Sequence, residues 1–162
     1  MSAQRTADNT ARNMTDADLT AVLQIERNSQ VMPWSRLSFE ESLSRTHATE
    51  DRNPHLCRVL CAGEIVCGFH ITSKVLDELH ILNLAVAPQF QKLGIGHQVM
   101  ADIIELAQSE QVKKIFLEVR ASNLVARSLY QKWQFEQIAV RQGYYRVQGG
   151  AREDALIFVR QL

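Results

Sequence analysis

Three features of the chain carry residues fit for proton and group chemistry. They are a carboxylate at Glu118, a phenol at Tyr130, and a turn reading Gln91-Lys92-Leu93-Gly94-Ile95-Gly96. Glu118 ends an apolar, strand-like run, Ile115-Phe116-Leu117. A partly buried carboxylate there could serve as a general base, directly or through water. The same residue could simply pair with Arg120 or a neighbouring basic group. Tyr130 lies on a helical stretch after Asn123, and its hydroxyl could give a proton to a departing group. It could equally be a tyrosine of the core or the surface.

Strand, glycine turn, helix is an arrangement that binds phosphates. Gly94 and Gly96 lack a Cβ, so backbone can approach a ligand closely. The free N–H groups of Lys92, Leu93, Gly94, Ile95, Gly96 and His97 sit at a helix start, where the dipole adds partial positive charge. A pyrophosphate fits such a site, and so does a tight turn with no ligand. A dinucleotide fingerprint needs a third glycine, and that position holds Val99. The preceding strands also form a meander, and a Walker lysine-serine pair is absent.

The elements that must position these residues can be read from periodicity. Thr15-Asp16-Ala17-Asp18 looks like a helix start, with the threonine hydroxyl as cap, and Leu19, Val22, Leu23 and Glu26 follow at helical spacing. Pro33-Trp34-Ser35 breaks the chain, and Ser35 or Ser38 can cap a second helix to about Arg45. Thr46 to Pro54 reads as a loop. Leu56 to Ala62 and Ile65 to Val75 are strands around a Gly63-Glu64 turn. Leu79 to Ala87 is a third strand, stopped by Pro88. An amphipathic helix with Ile95, Val99, Ile103, Ile104 and Leu106 follows. Lys114 to Val119 is a strand, Asn123 to Trp133 a helix capped by Ser122 or Asn123, and Phe135 to Val140 and Ala155 to Val159 late strands. The order is two helices, a meander, then β-α-β-α-β-β, a mixed α/β single domain. Residues 1–13 read as a frayed, flexible N-terminal tail and 14–162 as the domain.

The chain has 162 residues, 46% hydrophobic and 22% charged, with formal net charge +0. That suits one globular domain and argues against bulk attraction to nucleic acid or anionic membrane. Tyr144, Tyr145 and Arg146 could suggest RNA stacking, but the neutral charge speaks against it. Cys57, Cys61 and Cys67 are odd in number, form no C-x-x-C pair, and read as core thiols in a reducing compartment. His47, His55, His70, His80 and His97 are scattered without metal-ligand spacing, so no metal is expected. No apolar run is long enough to span a membrane, and the N-terminal residues lack the apolar core of a signal peptide. The expectation is a cytoplasmic protein.

At the level of motifs the chain resembles a known family. Asn83-Leu84-Ala85-Val86-Ala87-Pro88 followed by Gln89-Phe90-Gln91-Lys92-Leu93-Gly94-Ile95-Gly96 is similar to motif A of the GNAT N-acetyltransferases. Leu117-Glu118-Val119-Arg120-Ala121-Ser122-Asn123, with Ala126 and Leu129-Tyr130, resembles the bacterial ribosomal-protein-alanine N-acetyltransferases. So do Pro33-Trp34-Ser35, Tyr144-Tyr145 and Arg152-Glu153-Asp154-Ala155. The resemblance covers Thr15 to the C-terminus.

The resemblance implies one domain with a twisted, mostly antiparallel sheet of about six to seven strands, about four helices, and a splay at an acetyl-CoA site. Backbone of Leu84, Ala85 and Val86 would pair with the pantetheine arm, and Lys92 to His97 would cradle the pyrophosphate. Asn123 would contact the cofactor near its pantetheine end. Acetyl would pass directly to an amine, with Glu118 as base and Tyr130 as acid. A backbone N–H in the Leu84 to Val86 strand, that of Val86 foremost, would donate to the oxyanion.

The implied acceptor is the N-terminal alanine of a small-subunit ribosomal protein. A terminal α-amine, with a pKa of about 7.7–8.0, loses its proton more readily than lysine at about 10.4. Trp34 and Tyr144-Tyr145 could wall a peptide groove, with Arg141, Arg146, Glu153 and Asp154 as polar contacts. Lysine side chains or a small amine are the same-fold alternative, and a non-catalytic acetyl-CoA-binding module a remoter one. Two positions depart from the family: Trp133-Gln134-Phe135 replaces Leu-Gly-Phe, and Ala151 is inserted in Gly-Arg-Glu-Asp.

Overall fold

The computed structural model describes residues 8–46 and 53–162. His47, residues 1–7 of the expected tail, and most of the loop read after Thr46 lie outside the described residues. Among the described residues seven strands form one sheet: β1 Thr10–Asn13, β2 His55–Ala62, β3 Ile65–Val75, β4 Glu78–Val86, β5 Lys114–Arg120, β6 Glu136–Arg146 and β7 Arg152–Gln161. Four α-helices of the described residues flank it: α1 Leu19–Ser29, α2 Arg36–Thr46, α3 Ile95–Ser109 and α4 Leu124–Lys132. The spatial order is β1-β2-β3-β4-β5-β7-β6, with every pairing antiparallel except β4 with β5. The mixed single-domain architecture is the one expected.

Thr10–Asn13 corrects the tail reading. It pairs antiparallel with β2, Thr10 opposite Cys61 through Asn13 opposite Arg58. Arg12 forks onto Asp18 at 2.8 Å through both nitrogens. Such an edge strand buries little, so its sequence lacks an apolar alternation. Asp18 also accepts the Thr15 backbone N–H at 2.8 Å, completing a capping box in which the Thr15 side chain faces the Asp18 N–H, as the helix start predicted. Ser35 caps α2 through the Ser38 N–H at 3.2 Å.

The two sheet faces carry separate cores. On one, α1 and α2 pack Leu19, Val22, Phe39 and Leu43 on Cys57, Val59, Phe69 and Ile71. On the other, α3 and α4 pack Val99, Met100, Ile103 and Tyr130 on Leu79, Ile81, Leu117 and Phe158. Burying such side chains contributes about 1.5–3 kcal/mol each. The three cysteines are buried and free. His70, also buried, meets Asp102 of α3 at 2.8 Å, and Arg58 forks onto the same carboxylate at 2.7 and 3.0 Å.

The late strands run further than periodicity indicated. β6 is exposed along most of its length, so its side chains give no buried-face signal. At its Gly143 bulge, φ is +56° and the N–H donates to Asp154 Oδ1 at 3.0 Å.

Candidate active site

The site begins where two neighbouring strands part. β4 and β5 pair in parallel only from Glu78 opposite Lys114 to Ile81 opposite Leu117. A bulge then intervenes in β4: Ile81 faces Thr72, Asn83 faces Ile71, and Leu82 is the extra residue. Such a bulge bends its strand. Beyond it β4 stays with β3, β5 stays with β7, and a gap opens between them.

Backbone alternation sets what faces the gap. The Ala87 N–H donates to Cys67 O across β3 at 2.9 Å, so Ala85 and Ala87 belong to the β3 ladder. Leu84 and Val86 therefore turn their N–H and C=O groups to the gap. Gln30 donates to Leu84 O at 3.2 Å, and Ser29 and Gln91 each donate to Val86 O at 3.2 Å. Of the three strand residues expected to meet a pantetheine arm, Leu84 and Val86 present backbone there, while Ala85 does not.

The glycine turn follows the end of β4, where Gln91 reaches Val86 O, and none of Lys92 to His97 lines the two clefts beside Glu118. Lys92 and Gly94 are left-handed, with φ of +60° and +81°. That curls the turn so that α3 starts without a side-chain cap. A Cβ on Gly94 would meet open space, so the glycine serves its backbone angle; Lys92 bears a cost of about 1–2 kcal/mol for the same region. A Cβ on Gly96 would lie 3.4 Å from the Leu129 side chain, so this glycine lets α3 approach α4. His97 Nδ1 accepts the Trp133 indole N–H at 3.0 Å, tying the same two helices.

Glu118, Tyr130 and Asn123 all line a cleft of about 280 Å³ at the gap, together with Glu26, Trp34 and Tyr145. Tyr130 is 7% exposed and packs on Phe135 and Phe158, at centroid distances of 5.9 and 6.4 Å. Burial, then the nearby Tyr145, pushes its pKa up to about 12, so the phenol keeps its proton at neutral pH. Asn123 caps α4 by accepting the Ala126 N–H at 3.1 Å.

The Glu118 side chain is partly buried and has a basic partner. Ile115, Leu117 and Val119 fill the α3 side of the sheet, so Glu118 points to the other face. Its side chain is 32% exposed and pairs with Arg141 at 3.3 Å. Arg141 is thus the neighbouring basic group offered beside Arg120, and Arg120 itself is engaged elsewhere. It donates to Glu153 at 2.9 Å and Arg146 O at 3.1 Å, and lies 4.4 Å over the Tyr145 ring. Glu153 also accepts the Ser122 N–H at 3.2 Å. The Val-Arg-Ala-Ser, Tyr-Tyr and Arg-Glu-Asp runs thus form one clamp on Tyr145.

On the face that α1 and α2 leave bare, a second cleft of about 420 Å³ runs along β5, β6 and β7. His80, Phe116, Arg141 and Tyr144 line it, and it shares Glu118 and Tyr145 with the first. Trp34 thus lines the first cleft and Tyr144 the second. Arg146, Glu153 and Asp154 line neither: Arg120 holds the Arg146 backbone carbonyl and the Glu153 carboxylate, and Asp154 accepts the Gly143 N–H. Sequence reasoning missed Asn83 and Glu26 as lining residues. An acid in the apolar stripe of α1 was the available signal for Glu26. Gln134 has φ of +64°, so the left-handed helix exit is kept without glycine. Ala151 sits in the β6–β7 turn, where its carbonyl accepts the Val147 N–H at 3.0 Å, away from both clefts. Among the described residues no group of three His, Cys, Asp or Glu could hold a metal.

Residues 19–135 match the model of the Acetyltransferase (GNAT) family. The [ribosomal protein bS18]-alanine N-acetyltransferase of Salmonella typhimurium is 34% identical over 149 residues, 92% of this chain and 95% of the relative. The crystal structure of the ribosomal-protein-S18-alanine N-acetyltransferase from Escherichia coli superposes with a TM-score of 0.82 at 33% identity, over 94% of this chain and 93% of that one. Arabidopsis thaliana NAA60 in complex with acetyl-CoA shares the fold, with a TM-score of 0.79 at 19% identity over 95% and 98% of the two chains. With the split strands, the uncapped glycine turn and a carboxylate between two clefts, these likenesses establish that the chain belongs to the GNAT family of acetyltransferases.

Proposed function

We propose that this enzyme transfers the acetyl group of acetyl-CoA to the N-terminal α-amine of a protein, the N-terminal alanine of ribosomal protein S18. The observation that carries the reading is the position of Glu118, on the one stretch of β5 shared by both clefts. The α3 side of the gap suits the donor. Lys92 to His97 would hold the pyrophosphate, the Leu84 and Val86 backbone the pantetheine arm, and Asn123 its far end. The thioester supplies an activated acyl carbon with a thiolate leaving group. The bare face suits the acceptor, because a peptide can lie along Tyr144, Arg141 and Phe116 while its terminus reaches Glu118.

Glu118 takes the proton of the ammonium, directly or through water, as the N–C bond forms. The Val86 N–H donates to the carbonyl oxygen as negative charge develops there. Tyr130 gives its proton to sulfur as the C–S bond breaks. Relatives named for bS18 alanine support the acceptor, and the α-amine's lower pKa suits an exposed carboxylate base. The enzyme would act in the cytoplasm on a protein terminus, without contacting RNA or membrane. No helix of the described residues is long and apolar enough to cross a membrane.

The test is to incubate purified enzyme with acetyl-CoA and unmodified S18, then sequence the product by mass spectrometry. One acetyl group on the terminal alanine is expected. Modification confined to lysines, or acetylation of small amines alone, would overturn the acceptor assignment.

A further inference from the structure

Glu26 lies among Val22, Leu23 and Ile25 on the core side of α1 and is 1% exposed. A carboxyl so deeply buried is costly to hold. Burial pushes its pKa up, against the pull of the Trp34 N–H and of neighbouring Asn83. Its Oε1 accepts the Trp34 backbone N–H at 2.9 Å. That bond closes the connection between α1 and α2, the segment that brings Met32 and Trp34 to the first cleft. Among the described residues neither Oε2 nor Asn83 Nδ2 has a hydrogen-bond partner. Asn83 is steadied on its other side by Gln30 at 3.3 Å, and the same Gln30 amide holds Leu84 O. Glu26 therefore stands between the wall of the cleft and the strand edge that faces the gap.

We propose that Glu26 is a positioning residue for acceptor binding: its carboxylate fixes the Trp34 backbone, and with it the Met32–Trp34 wall, beside β4 at Asn83. The inference rests on the acceptor entering between this wall and Glu118. Glu26 touches neither substrate; it acts through Trp34. An apolar residue would fill the same space in the α1 core but leave the Trp34 N–H without its acceptor.

The test compares Glu26→Ala and Glu26→Gln with wild type. One readout is hydrogen exchange over residues 30–35 in the free protein. The other is the KM for an Ala-starting peptide set against the KM for acetyl-CoA. Glu26→Ala should speed exchange in that segment and raise the peptide KM about tenfold, with the acetyl-CoA KM within about twofold. Glu26→Gln should restore both, because its amide oxygen still accepts the Trp34 N–H. Unchanged exchange in Glu26→Ala would overturn the proposal, as would a glutamine variant as impaired as the alanine one, or equal changes in both KM values. Exchange needs no acceptor, so it decides the positioning role even if wild-type enzyme acetylates no peptide. That last result would instead overturn the α-amine assignment.

Discussion

Replacing Tyr130 by phenylalanine removes one oxygen and leaves the ring. The ring's contacts with Phe135 and Phe158 persist, so the melting temperature should stay near wild type. The kinetic cost follows from the burial of the phenol. A general acid contributes about 10²–10⁴-fold. With a pKa near 12, Tyr130 is always protonated at neutral pH but is a weak acid beside a thiol, for which about 8.5 is a guide. In the proposed acid role its help would be mainly a hydrogen bond to the developing thiolate with late proton transfer, which sets the expected loss at the lower end. Turnover should fall about 10²-fold, equivalent to about 2.7 kcal/mol in the barrier. Single-turnover acetylation at saturating substrates measures this directly, and thermal shift with acetyl-CoA verifies that donor binding survives. An acetyl donor whose thiol is more acidic should shrink the defect. A variant that keeps kcat within about threefold of wild type would refute the acid role. A defect that ignores the leaving group would show that the hydroxyl does not act on sulfur.

Other consequences are equally direct. Glu118→Gln should slow turnover by about 10²-fold or more and move the onset of activity to higher pH, where the amine is already free, with acetyl-CoA binding kept. An unchanged pH–rate profile would remove Glu118 as base. Gln134→Gly should stabilise the fold by about 1 kcal/mol, because glycine bears no Cβ penalty at φ +64°; chemical denaturation measures it. Asp102→Ala should destabilise by about 3–5 kcal/mol at neutral pH by stranding His70 and Arg58. Burial pushes the Asp102 carboxyl up, but His70 and Arg58 outweigh it and hold it well below the usual range. Its contribution is therefore present above the unfolded value, about 3.9, and lost as pH falls toward the folded one. The gap between wild type and variant in urea melts should close only in strong acid.

Much of this site was legible because its residues sit on strong local signals. The glycine turn announces a strand-to-helix passage, and Glu118 follows a run whose alternate members fill the core. The failures have physical causes. β1 is a short polar edge strand held by the Arg12–Asp18 pair, and β6 is exposed along most of its length, so neither carries a buried stripe. Arg120 lies two residues from Glu118, yet strand alternation places both on one face with room for different partners; the pairing with Glu153 comes from the distant β7 register. Glu26 reads as one more position of an amphipathic helix until Trp34 folds back onto it.

The most direct test of the central claim is a mass-spectrometric acetylation assay with two peptides of the S18 terminus. One has a free N-terminal alanine; the other has that terminus blocked and its lysines free. Acetylation of the free terminus and none of the blocked peptide is the expected result. Acetylation of the blocked peptide at lysine, with the free α-amine untouched, would contradict it while leaving the donor site in place.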